Sequence, residues 1–194
     1  MKRAVLIALL VLSLMLALAA CGQNAAVEEA SAPAEEEGSV SMANPWREVT
    51  QEEAQAACTR SFNIPEGAEN VKWSIMDAAT DPSGVAGAMV QAVFDLNGMT
   101  FTAREQITGD TEVDTSGMHY QWGSQDVGSM SSWFEGMTCK LFRYVGDGES
   151  ADLCTWYDIE AGVSYSLSTV AENLDGFDIT AVANAMVPTP EDIP

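Results

Sequence analysis

Val90-Gln91-Ala92-Val93-Phe94-Asp95-Leu96-Asn97-Gly98-Met99-Thr100-Phe101-Thr102-Ala103-Arg104 is the stretch whose reading decides the fold. Counting back to Ala88, the residues Ala88, Val90, Ala92, Phe94 and Leu96 share one parity. After Asn97-Gly98, Met99, Phe101 and Ala103 face one way, while Thr100, Thr102 and Arg104 face the other. Period-two alternation is the mark of a strand with one buried face. Asn-Gly between two such runs is the strongest short-range hairpin signal, because both residues reach positive φ at little cost.

Working outward, the same pattern recurs on the C-terminal side. Cys139 to Val145 and Asp152 to Tyr157 read as a second hairpin around Gly146-Asp147-Gly148-Glu149-Ser150. Val163, Tyr165 and Leu167 alternate with Ser164, Ser166 and Ser168 in a last strand. Met118, Tyr120 and Trp122 suggest a further strand over 118–122, between a polar loop at 108–117 and a Gly- and Ser-rich loop at 123–131. Towards the N-terminus, Val71, Trp73 and Ile75 alternate with Lys72 and Ser74, and Asp81-Pro82-Ser83-Gly84 is a turn. Two helices flank these strands. Thr50 and Glu53 form a capping box ahead of Ala54, Ala57 and Cys58, which share one face. Asp178 caps a closing helix whose Ile179, Val182, Ala183 and Met186 lie on one side, and Pro188 ends it. The order helix, six or seven hairpin-linked strands, helix argues for α+β. The expectation is one curved antiparallel sheet with an N-terminal and a C-terminal helix packed on it.

Before this domain the composition changes. Met1-Lys2-Arg3 and an apolar run into Leu18-Ala19-Ala20-Cys21-Gly22 read as a signal peptide over 1–20. Leu18-Ala19-Ala20-Cys21 matches the lipobox of bacterial lipoproteins, so Cys21 is the expected lipidation site and first mature residue. Residues 21–45 are Ala, Glu, Ser, Pro and Gly rich and read as a disordered acidic tether. The folded domain is expected over 46–187, with a tail at 188–194. The location this implies is the extracytoplasmic side of the cell membrane. After cleavage, Arg47, Arg60, Lys72, Arg104, Lys140 and Arg143 stand against 29 acidic residues, which leaves a net charge of −23. Such a field repels nucleic-acid phosphates and excludes that class of partner.

Chemical motifs are sparse. Asp110, Glu112 and Asp114 space carboxylates as a calcium loop does, but Thr115 and Gln121 stand where an EF-hand needs its Gly and its distal Glu. A solvated loop is the simpler reading, and no metal or cofactor is expected. His119 lacks a nucleophile motif, and Ser131 and Ser132 beside Trp133 read as loop. Cys139 and Cys154 bracket the second hairpin. A turn centred on Gly146-Asp147 sets them opposite each other; one centred on Gly148 sets Cys139 opposite Tyr157 and Cys154 opposite Phe142. A disulfide and two buried thiols both remain open. Tyr120, Trp122, Trp133, Trp156 and Tyr157 line a glycan or peptide surface, or pack within the sheet.

Three segments carry a family likeness. They are Asn44-Pro45-Trp46 through Ile64-Pro65-Glu66-Gly67-Ala68, then Asp114 to Trp122, then Leu153-Cys154-Thr155-Trp156-Tyr157-Asp158 with Gly162 to Ser168. Over 44–187 the chain resembles an uncharacterised family of lipoproteins from Gram-positive gut bacteria. That family is similar to a domain of unknown function in the extracytoplasmic regions of anti-sigma-factor-like regulators. The chain departs from the regulators in lacking a cytoplasmic domain and a transmembrane helix after cleavage. The resemblance carries over no catalytic residue. The expectation is a non-enzymatic, membrane-anchored interaction or sensing module for an extracytoplasmic protein, peptide or glycan. The alternative is a hydrolase of envelope glycans or peptides.

Overall fold

The computed structural model describes residues 44–58, 60–78, 87–130 and 137–188. The leader, nearly all of the tether with Cys21, the Asp81–Gly84 turn, Ser131, Ser132, Trp133 and most of the tail lie outside them. The elements run β1 Trp46–Val49, α1 Gln51–Ala57, β2 Glu69–Met76, β3 Met89–Leu96 and β4 Met99–Ile107. They continue with β5 Ser124–Ser129, β6 Thr138–Val145, β7 Ser150–Asp158, β8 Val163–Ala171 and α2 Ile179–Met186. All eight strands join one sheet in the order β1-β2-β3-β4-β8-β7-β6-β5. Every neighbouring pair is antiparallel. The class is α+β, as the hairpin pattern implies.

The Asn97-Gly98 hairpin forms as read. Asn97 and Gly98 take φ of 52° and 80°, and Leu96 pairs with Met99. That two-residue turn fixes the register, so Val90, Ala92, Phe94, Phe101 and Ala103 all turn into the core. Phe94 and Phe101 stack across the strands with centroids 5.5 Å apart.

The strand count differs from the sequence reading, and so does the first element. Among the described residues the first element is β1, not a helix. β1 has only four residues, too few for a periodic signal, and it lies along β2 with Val49 beside Trp73. The Gly- and Ser-rich stretch read as loop over 123–131 holds the edge strand β5. Gly128 is required there: a Cβ would come within 2.9 Å of the Cys139 sulfur. Conversely, 118–122 is not a strand. In β2 the register shifts between Glu69 and Lys72, with Asn70 at φ 52°. That bulge leaves Val71 37% exposed while Trp73 and Ile75 remain buried.

The two faces of the sheet are covered differently. Both helices pack on one face, where Ala54, Ala183 and Met186 join Trp73, Phe101 and Trp156 in one core. α1 carries the expected capping box, with Glu53 N–H donating to Thr50 and Thr50 N–H to Glu53. The other face presents Gln91, Arg104, Thr155, Ser164 and Ser166. Because β4 lies inside the sheet and β5 at its edge, the chain between them crosses this polar face over residues 108–123. Ser164 Oγ bonds to Thr108 Oγ1 and accepts from Val113 N–H, and Thr115 Oγ1 donates to Ser166. Arg104 Nη1 donates to the carbonyls of Thr115 (3.2 Å) and Ser116 (2.6 Å). The polar loop of the sequence reading is therefore a strap, held by the serine side of β8.

Phe101 is fully buried between Phe94 and Phe177. Phe101→Ala should cost about 3–5 kcal/mol through lost burial and a cavity. Urea unfolding with an unchanged slope checks this. A loss below about 1 kcal/mol would show that the hairpin does not anchor the core.

Candidate functional site

A carboxyl sits where the alternation of β4 continues one step past Arg104. Glu105 shares the core parity of Phe101 and Ala103, pairs with Tyr165 on β8 and is fully buried. Its Oε1 accepts from Ser61 Oγ at 2.7 Å and its Oε2 from Phe62 N–H at 2.8 Å. Burial pushes this carboxyl up to about 8, against the pull of those two hydrogen bonds. It is therefore largely protonated at neutral pH. The Tyr165 hydroxyl donates to Arg60 O at 2.6 Å, and burial, then the nearby Glu105, raises its phenol. Arg60 itself pairs with Asp158 at 2.6 Å, with both side chains largely buried. Together these groups bind the segment after α1 to β4, β7 and β8. The available signal was the parity of Glu105, one residue beyond the end of the apolar alternation.

The sequence candidates are dispersed. Asp110 is exposed. Glu112 pairs with Lys140 at 2.7 Å, and Asp114 Oδ1 accepts from Ser116 N–H at 2.8 Å. His119 is exposed within the strap. Among the described residues, no three His, Cys, Asp or Glu side chains converge as metal ligands would.

Cys139 stands opposite Trp156, and Cys154 opposite Leu141. This register lies between the two considered from the sequence, because the turn spans 146–149 and Val145 pairs with Ser150. Both cysteines are buried thiols on the core face, diagonal to each other and hydrogen-bonded. The Cys154 thiol donates to Cys139, which lowers the Cys139 thiol and, with burial, raises Cys154. Cys58 is a third buried thiol.

The aromatic candidates divide between the faces. Trp156 is buried and stacks on Tyr165 at 5.1 Å, so it belongs to the core. The Tyr157 hydroxyl donates to Gly109 O and ties down the start of the strap. Tyr120 and Trp122, at the end of the strap, are half-buried beside Phe142 and Tyr144 of β6. Tyr120 also donates to Glu149 at 3.0 Å. This group forms an aromatic surface on the strap side of the sheet.

Comparison of the chain with protein-family models, with curated proteins and with solved structures finds no match.

Glu105 generates a pH prediction. Its folded value lies above its ordinary 4.5, so the folded state keeps a proton that the unfolded chain releases. This group's contribution is present in full below about pH 4.5 and is lost as pH rises to about 8. Glu105→Gln mimics the protonated carboxyl. Its thermal midpoint should fall less between about pH 5 and about pH 8 than that of the wild type. Parallel pH profiles for the two proteins would contradict the buried, protonated carboxyl.

Proposed function

We propose that the chain is a membrane-anchored extracytoplasmic lipoprotein whose sheet domain is a non-enzymatic interaction or sensing module. The observation that carries the anchoring is Leu18-Ala19-Ala20-Cys21 behind a basic and apolar leader, followed by an acidic tether. The resemblance over 44–187 to lipoproteins of Gram-positive gut bacteria points the same way. For the domain, support comes from how its chemistry-bearing groups are used. Glu105 is enclosed by Ser61 and Phe62, Asp158 and Asp152 are held by Arg60 and Arg143, and His119 stands exposed. These contacts fasten segments to the sheet. The half-buried Tyr120, Trp122, Phe142 and Tyr144 offer a surface for a protein, peptide or glycan. The hydrolase reading would need carboxylates gathered around a cleft with His119, and no specific observation favours it.

Cys21→Ser should release the domain from the membrane fraction or leave an unprocessed precursor. Fractionation with acyl labelling reads the outcome. Membrane association and labelling equal to wild type would overturn the anchoring.

A further inference from the structure

We propose that the free edge of β5 is a docking site for an extended peptide segment that carries a Lys or Arg side chain. The inference deepens the interaction reading above and rests on it for its biological meaning. Among the described residues, β5 pairs with β6 on one side only. Met130 N–H donates to Met137 O at 2.9 Å, and antiparallel pairing alternates from there. Ser124, Asp126 and Gly128 therefore turn their backbone groups to β6. Gln125, Val127 and Ser129 turn theirs outward, where they have no hydrogen-bond partner among the described residues.

Natural edges are usually blunted by Lys, by Pro or by a bulge. β5, Ser-Gln-Asp-Val-Gly-Ser, has no Lys and no Pro, its register with β6 is unbroken from Ser124 to Ser129, and its single charge is Asp126. Val127 is 74% exposed. The outward groups form the ladder that an extended peptide uses when it adds a strand to a sheet.

The charge beside this edge selects the occupant. On the helix face, a cleft of about 190 Å³ is lined by Ser124, Asp126, Arg143, Asp152, Phe177 and Asp178 among others. Arg143 donates to both oxygens of Asp152, at 2.7 and 2.6 Å, and to Phe177 O at 2.8 Å. That pair neutralises itself. Asp126 remains exposed with no ion pair among the described residues, while Asp178 caps α2 by accepting from Thr180 N–H at 2.9 Å. Asp126 stands opposite Leu141, so its side chain lies on this face. The residue of an added strand facing Asp126 would place its Cβ about 5 Å away on the same face. A Lys or Arg there meets Asp126 and the cleft, while an acidic side chain meets repulsion from a mature chain of net charge −23. Val127, on the opposite face, offers apolar contact to a flanking β-branched residue.

The test uses the mature chain, residues 21–194, kept soluble by Cys21→Ser. The probes are acetylated, amidated Thr-Val-Lys-Val-Thr and its Glu counterpart, followed by amide NMR. The Lys peptide should shift the amides of Gln125, Val127 and Ser129 and bind about tenfold more tightly than the Glu peptide. Val127→Pro removes an outward N–H and no β5–β6 bond, so it should abolish binding with little change in melting temperature. Asp126→Lys, an exposed substitution, should reverse the preference towards the Glu peptide even if the proline variant folds poorly. No shift at β5, equal affinity for both peptides, or an unchanged preference in Asp126→Lys would overturn the proposal. Concentration-dependent shifts at β5 without peptide would overturn it in favour of a second copy of the chain. Failure here with membrane anchoring intact removes only the edge site. Failure of anchoring with peptide binding intact removes only the lipoprotein reading.

Discussion

The pairing of β4 with β8 is the constraint on which the rest of the structure depends. Seven residue pairs, from Phe101 beside Thr169 to Ile107 beside Val163, join two four-stranded meanders into one sheet. The strands lie far apart in sequence, so closing this pair carries the largest loop-closure cost in the fold. It also sets parity for everything around it. Phe101, Ala103 and Leu167 go to the helices, while Arg104, Ser164 and Ser166 go to the strap. A slip of one residue would exchange the two faces and bury the wrong set. Glu105 lies inside this seam and is enclosed only when the segment after α1 closes over it.

A second constraint follows from composition. Basic residues are scarce beside 29 acidic ones, and four of them tie non-sheet segments to the sheet or hold the approach to a helix. Arg60 joins the segment after α1 to Asp158 of β7. Arg104 and Lys140 hold the strap from β4 and β6. Arg143 links β6 to Asp152 and to the carbonyl that precedes α2. Arg104 also lies over the Trp46 ring at 5.1 Å, which connects the strap contacts to the opposite edge of the sheet.

The hairpins were legible because their signals are local. Asn97-Gly98 and the alternation around it specify turn, register and buried face together, and Thr50 with Glu53 specifies a helix start. Edge strands carry no such signal: β5 is almost wholly exposed and β1 is four residues long, so neither needs an apolar stripe. The alternating Met118, Tyr120 and Trp122 imitate a strand, but the Tyr120 and Trp122 rings pack on β6 from a strap that runs across the sheet. Of the candidate sites, the Asp110–Asp114 loop was placed correctly as loop, while its attachment to Ser164, Ser166 and Lys140 depends on contacts distant in sequence. Glu105 escaped notice because a charged residue at a core parity position normally ends a buried run. Here Ser61 and Phe62, more than forty positions earlier, supply its partners.

Native-state hydrogen exchange on the soluble mature chain tests the central role of the β4–β8 seam most directly. The account predicts that amides of β4 and β8 exchange only through global unfolding, with β1 and β5 opening at lower cost. Exchange across β4 and β8 that is faster than exchange within the two meanders would contradict it, because the halves would then open as independent units.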